Sequence, residues 1–188
     1  MKAREYIDFL NKIEKLKCNT RHSWTSDGRQ ESVAEHSWRL AVMAMLCAED
    51  FDDIDINKVI KMCIIHDFGE AITGDIPAFV KSDNDRIEER KAVEHLISVL
   101  PKNLHNEFSS LFDEMYEMNT SEAKLFKSLD NLEALISHNE ADLSTWLPNE
   151  YYDNLIYGQQ NCEWSDWTRA LKEEIRQDSV KKISSAKN

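Results

Sequence analysis

Apolar residues recur along this 188-residue chain at helical spacing, and polar punctuation marks where each run ends. Ile7, Leu10, Ile13 and Leu16 make one stripe, which predicts a first helix over about residues 3 to 16. The segment RHSWTSDGRQ then breaks the pattern with Ser, Asp and Gly. Ser32, followed three positions later by Glu35, has the form of a capping box and opens a strongly apolar helix running to about residue 49. Asp53 or Asp55 caps the next helix, which is expected to run to about Phe68. After a T-G-D-I-P turn, the periodicity predicts helices near 84 to 99, 104 to 117, 121 to 142 and 164 to 182, about seven in all. No internal repeat, low-complexity tract or linker divides them. The expected organisation is one domain over residues 1–183, with 184–188 as a frayed tail.

Composition points the same way. Only four Gly and three Pro interrupt a chain rich in Leu, Ala, Glu, Lys, Met and Ile, which suits long helices and starves a many-stranded sheet of turn residues. The expected fold class is an all-α, single-domain helical bundle. No stretch reaches the roughly 20 apolar residues of a membrane span, and MKAREYIDFLNKIEKLK carries charges where a signal peptide would be apolar. Cys18, Cys47, Cys63 and Cys162 form no C-x-x-C pair, so they are expected to be reduced thiols in a cytoplasmic protein. The net charge of −12 repels a nucleic-acid polymer and leaves room for a small anionic substrate only where basic residues cluster locally.

Candidate chemistry enters with CIIHDFGEAITGDIP, residues 63–77. Val59, Cys63, His66 and Glu70 share a helical face with Asp67 beside His66, and the T-G-D turn can fold Asp75 back over them. Two carboxylates and an imidazole ordered in an apolar setting need a cation. His36 shares an apolar face with Leu40 and Met43, and Asp130 sits between Leu129 and Leu132, where an unpaired carboxylate is costly to bury. Two imidazoles and two carboxylates suit Mn, Fe, Co, Ni or Zn better than the all-oxygen cage of Mg or Ca. Spacing alone does not single out His36 and Asp130 from the other histidines and acids.

E-H at 35–36, H-D at 66–67 and Asp130 resemble the H…HD…D signature of HD-domain phosphohydrolases. The surrounding R-Q-E-S-V-A-E-H, I-H-D-F-G-E-A-I-T-G-D-I-P and L-D-N-L-E-A are similar to the branch containing the 5′-deoxynucleotidases, over roughly residues 4 to 160. The resemblance implies that His36, His66, Asp67 and Asp130 hold one divalent metal ion, drawn from Mn, Co, Ni, Fe, Zn or Mg. It implies that Glu70 and Asp75 are the catalytic acids and that Arg21 contacts substrate. The implied reaction is hydrolysis of (deoxy)nucleoside 5′-monophosphates by a homodimer. In part of that branch the Arg is followed directly by Trp. Here the form is Arg21-His22-Ser23-Trp24, and Trp24 is expected to wall the sugar from two positions further along.

A phosphate also needs cations. Lys81, just past the turn, and Lys127, one helical turn before Asp130, join Arg21 as candidates, while Arg29 is expected to pair with Glu31 or Glu35. His138 is placed at the rim of the site, and Glu133, on the Asp130 face, is read either as an acceptor behind it or as a member of a surface salt bridge. Trp146, Trp164 and Trp167 are assigned to packing of the last helix or to a subunit interface. Two other readings compete: an HD-fold phosphodiesterase or di-iron oxygenase, and a non-catalytic nucleotide-binding protein. Dinuclear members carry two more His ligands between the H-D pair and the final Asp, and His95 and His105 fall there on faces expected to be exposed.

Overall fold

The computed structural model describes residues 1–77 and 79–185. It is built of helices and one antiparallel hairpin. The order is α1 (Ala3–Ile13), a 3-10 turn (Glu14–Lys17), β1 (Thr20–Trp24), β2 (Gln30–Ser32), α2 (Val33–Leu46), α3 (Ile56–Ile65) and α4 (Glu70–Thr73). It continues with α5 (Asp83–Ile97), α6 (Lys102–Glu117), α7 (Ser121–Glu140), α8 (Glu150–Ile156), α9 (Gln159–Cys162) and α10 (Asp166–Ser185).

Caps set the starts as the sequence predicts. Ser32 and Glu35 form a reciprocal capping box on α2, and of the two candidate aspartates Asp55 is the one that caps α3, accepting from Lys58 N at 3.2 Å. Buried Val33, His36, Ser37, Leu40, Ala41 and Ala44 recur at helical intervals on α2, as do Val59, Met62 and Cys63 on α3. These faces pack against each other and against Leu125 and Leu129 of α7. Each leucine so buried contributes about 1.5–3 kcal/mol by leaving water. A second cluster joins Leu132 and Leu135 of α7 to Ile175 of α10.

Three expectations are corrected. The α1 stripe meets the core only at its end: Ile7 and Leu10 are exposed while Ile13 and Leu16 pack on the bundle, and Phe9, off that stripe, is buried. RHSWTSDGRQ is a β-hairpin whose Thr25–Arg29 turn uses Gly28 at φ +86°. The last helix runs on through Ser184 and Ser185, assigned above to a tail, while residues 186–188 lie outside the described part of the chain. Helices α4, α8 and α9 were not anticipated.

Candidate metal centre

Three helices deliver the tetrad. His36 lies in the buried stripe of α2, His66 and Asp67 follow the last turn of α3, and Asp130 stands midway along α7. His36 Nε2 is 3.1 Å from Asp130 Oδ1, and His66 Nε2 is 3.0 Å from Asp67 Oδ2 and 3.7 Å from Asp130 Oδ1. His36, His66 and Asp67 offer ligand atoms within 4.8 Å of one another.

Both imidazoles are fixed the same way round. His36 Nδ1 donates to the fully buried Glu133 carboxylate, and His66 Nδ1 donates to the Cys63 carbonyl at 2.9 Å. Each ring therefore turns an Nε2 lone pair inward, where its neighbours are carboxylate oxygens. A lone pair facing an anion at these distances repels, so each Nε2 needs either a proton or a bound cation between it and the carboxylates, and the raised proton affinity of His36 expresses that need. His66 Nε2 and Asp67 Oδ2 are buried with no hydrogen-bond partner among the described residues, so the unmet demand sits at the centre of the tetrad. The two-nitrogen, two-carboxylate set fits a divalent transition ion.

Electrostatics express the same demand. Burial and Arg21 oppose a charge on His36, but Glu133 and Asp130 outweigh them and push it up to about 9. Burial also works against ionised Asp67, yet His66, His36 and Arg21 hold it well below the usual carboxylate range. Asp130 is held down against its burial by Lys127 and both histidines. Glu133 is brought down to about 2 despite burial, by His36 and by Arg39, whose Nε donates to it at 2.6 Å.

In front of the tetrad lies a cavity of about 550 Å³, lined by Arg21, Asp67, Glu70, Asp75, Lys81, Lys127 and Asp130 among others. Glu70 opens α4. Gly69 before it lets α5 approach, since a Cβ there would stand 2.9 Å from the Glu89 carbonyl oxygen. Glu70 Oε2 is buried and unpartnered, and burial with Asp67 and Asp75 beside it pushes the carboxyl up to about 10. Gly74, at φ +75°, turns the chain so that Asp75 faces back into the cavity; burial raises this carboxyl against the pull of Arg21. Asn19 Nδ2 donates to the Glu70 carbonyl at 2.6 Å, tying the root of β1 to α4. Arg21 Nη1 lies 3.5 Å from Asp67 Oδ2 and its Nε 3.5 Å from Glu31 Oε2. Lys127 Nζ donates to Asp130 Oδ2 at 2.6 Å, and Lys81 pairs with Glu89, 4.0 Å from Glu70 Oε1. Arg29 pairs with Glu35 at 2.7 Å, outside the cavity lining.

Trp24 is placed elsewhere. It faces a small pocket with His138, Ala141, Thr145 and Trp146 and does not line the main cavity, whereas His22 lines both. The pairing of β1 with β2 is irregular between Thr20 and Trp24, a distortion that re-aims side chains and here turns both Arg21 and His22 to the cavity. His22 Nε2 stands 3.0 Å from Glu150 Oε1, with Phe79 against the ring. His138 lies at the rim as expected, its Nδ1 3.1 Å from Asn154 Nδ2. His95 is exposed on α5 and His105 is half-buried in the first turn of α6; neither lines the cavity. Sequence reasoning missed Arg86, Phe79 and the α8 wall of Glu150, Asp153 and Asn154, continued by Tyr157 just beyond that helix. No periodic signal marked that wall, because the seven residues of α8 turn polar side chains inward.

A histidine, a His-Asp pair and a lone aspartate, gathered by helices behind one cavity, define a metal-binding helical domain. The HD domain model matches residues 13–172, and the chain belongs to that family. It is 32% identical over 160 residues to the 5′-deoxynucleotidase HDDC2 of Homo sapiens, covering 81% of this chain and 77% of that protein. It is 31% identical to the 5′-deoxynucleotidase hdd1 of Schizosaccharomyces pombe, covering 85% and 89%. Among solved structures, a predicted metal-dependent phosphohydrolase from Magnetospirillum magnetotacticum MS-1 superposes with a TM-score of 0.81 at 29% identity, covering 95% of this chain and 93% of that one.

Proposed function

We propose that this chain is a metal-dependent 5′-nucleotidase that hydrolyses (deoxy)nucleoside 5′-monophosphates to nucleoside and phosphate. The observation that carries the reading is the set of buried, unpartnered atoms His66 Nε2, Asp67 Oδ2 and Glu70 Oε2 beside a cavity that also holds Arg21 and Lys127. The 5′-deoxynucleotidase names of the relatives support the same substrate class. A divalent transition ion held by His36, His66, Asp67 and Asp130 would neutralise phosphoryl charge and acidify water, which is what an anionic monoester needs.

The chain's own residues supply the rest. Arg21 and Lys127 hold the phosphate. Glu70 orients the attacking water and takes its proton: burial, Asp67 and Asp75 favour the protonated carboxyl, and a cation held by the tetrad beside Asp67 would add to the pull of Arg21 and bring it down to the ionised form a base requires. Asp75, reaching in from the T-G-D turn with its carboxyl raised, protonates the departing 5′ oxygen. Lys81 holds Glu70 and Glu89 in place or meets the substrate directly.

The reading extends to a cytoplasmic homodimer. All four cysteines are free, and no helix is long and apolar enough to cross a membrane among the described residues. Trp164 and Trp167 pack on Phe51 and Trp146 bonds the His138 carbonyl, so a dimer face would draw on other residues, such as exposed Trp38, Met45 and Leu46 of α2. Sedimentation at micromolar concentration tests this: a dimer is expected, and a monomer removes that part.

Phosphate release from ribo- and deoxyribonucleoside 5′-monophosphates, screened across Mn, Co, Ni, Mg and Zn, tests the activity. Release with at least one metal is expected. No release with any of them overturns the reading.

A further inference from the structure

We propose that Tyr157 is a phosphate-binding residue of this site, its hydroxyl aimed by Asn131 so that the phenolic proton is presented to a phosphoryl oxygen. The inference rests on the phosphomonoesterase reading and adds to it a residue that the tetrad and the basic side chains do not include.

The geometry begins at the metal centre. Asn131 directly follows Asp130 on α7, is buried, and its Nδ2 donates to the Tyr157 hydroxyl at 3.1 Å. The amide is held that way round because Asn161 Nδ2 donates to its Oδ1 at 2.6 Å. The Tyr157 oxygen thus has its acceptor role filled, and its O–H proton has no acceptor among the described residues. The ring lines the cavity with Lys127, Asp130 and Arg21.

The backbone is built to bring the phenol here. Gly158 follows at φ +69°, and a Cβ on it would stand 2.6 Å from the Asn131 Cβ. Only glycine lets the end of α8 press this closely on α7. A tyrosine needed merely for packing would not require an amide chain across two helices to orient its hydroxyl.

The chemistry follows from what the neighbouring cations already do. Arg21 is shared between Asp67 and Glu31, Lys127 holds Asp130, and Lys81 holds Glu89. A phosphate dianion arriving among them has several oxygens to satisfy. The phenol is a neutral donor with no carboxylate to give up first, and a donor to a charged acceptor makes a strong hydrogen bond.

Tyr157→Phe keeps the ring and removes the hydroxyl. Titration calorimetry of inorganic phosphate into the divalent-ion-loaded protein should show binding weakened about 10- to 100-fold, with metal content and melting temperature unchanged. The kcat/KM for deoxyadenosine 5′-monophosphate should fall at least as far, while inhibition by the unphosphorylated nucleoside stays the same. Asn131→Ala should weaken phosphate binding by a smaller factor in the wild type and not at all in the Tyr157→Phe background. Phosphate affinity equal in wild type and Tyr157→Phe, or no phosphate binding by the wild type, overturns the proposal. Additive losses in the double variant overturn the part assigned to Asn131. If no nucleotide is hydrolysed and phosphate binding still depends on Tyr157, the nucleotidase reading falls and this one stands.

Discussion

The cavity has two walls of different construction. The deep wall, carrying His36, His66, Asp67 and Asp130, is set on α2, α3 and α7, whose apolar faces form the main core. The outer wall comes from short pieces: β1, the stretch around Asp75 and Phe79, and the end of α8. On the deep wall each side chain is aimed from a long helix, by a neighbour one turn away as His66 is by Cys63 or across the core as His36 is by Glu133. On the outer wall short pieces hold one another: Leu147 N donates to Glu150 at 2.6 Å within one of them, and His22 of β1 meets that same Glu150 from another. Long helices give a rigid centre for chemistry that tolerates little displacement, while short elements give a rim whose residues can differ without disturbing the core.

Breaking the deep wall should have the largest effect. His66→Ala and Asp130→Asn should each abolish metal binding, measured as metal per chain after gel filtration, while circular dichroism shows the helices intact. Metal content equal to wild type would sink the ligand assignment. Glu70→Gln stands at the junction of the walls and should keep the metal but lower turnover by about 10²-fold or more. Unchanged turnover would pass the role of base to Asp75. Glu133→Gln never reaches the cavity, yet it should weaken metal affinity by about 10- to 100-fold, because it loosens the ring that presents His36 Nε2. A competition titration against a chelating dye reads this directly, and an unaltered midpoint would make Glu133 a packing residue only.

The smallest effect sharpens the outer wall. Trp24→Ala should leave the ratio of kcat/KM for deoxyribo- and ribonucleotides where it was, since the indole faces the pocket behind His22. His22→Ala should move that ratio, because His22 lines the cavity itself. A ratio that shifts with Trp24 and not with His22 would restore the indole as the sugar's wall.

How far the sequence could be read follows the same division. The helices of the deep wall were legible from their apolar stripes and the Ser32 and Asp55 caps, whereas His36 and Asp130 were picked out from the other histidines and acids only by the H…HD…D resemblance. Its supports were partly legible: Glu133 shares a face with Asp130, but nothing in the pattern shows a glutamate fully removed from water. The outer wall was hidden because EYYDNLI is too short and too polar to show a periodic face, and its inward residues are the polar ones. The hairpin was marked by S-D-G, but a five-residue and a three-residue strand carry too little alternation to announce themselves. The direction of Trp24 depends on the irregular pairing of those strands, a tertiary property with no spacing signal.

Lys127 and Arg21 lie against carboxylates of the cavity wall and Lys81 against Glu89 just behind it, and Arg86 alone among the Lys and Arg residues lining the cavity has no ion-pair partner among the described residues. The pocket behaves as an ion exchanger. On the proposed reading, an arriving phosphate ester would displace internal anions from their counter-ions rather than fill a bare positive well, and those anions would return as inorganic phosphate departs. Release is thereby assisted by the protein itself, so the reaction should clear its product quickly. Affinity for the ester should fall only gently with added salt, because the displaced and the arriving charges are screened alike.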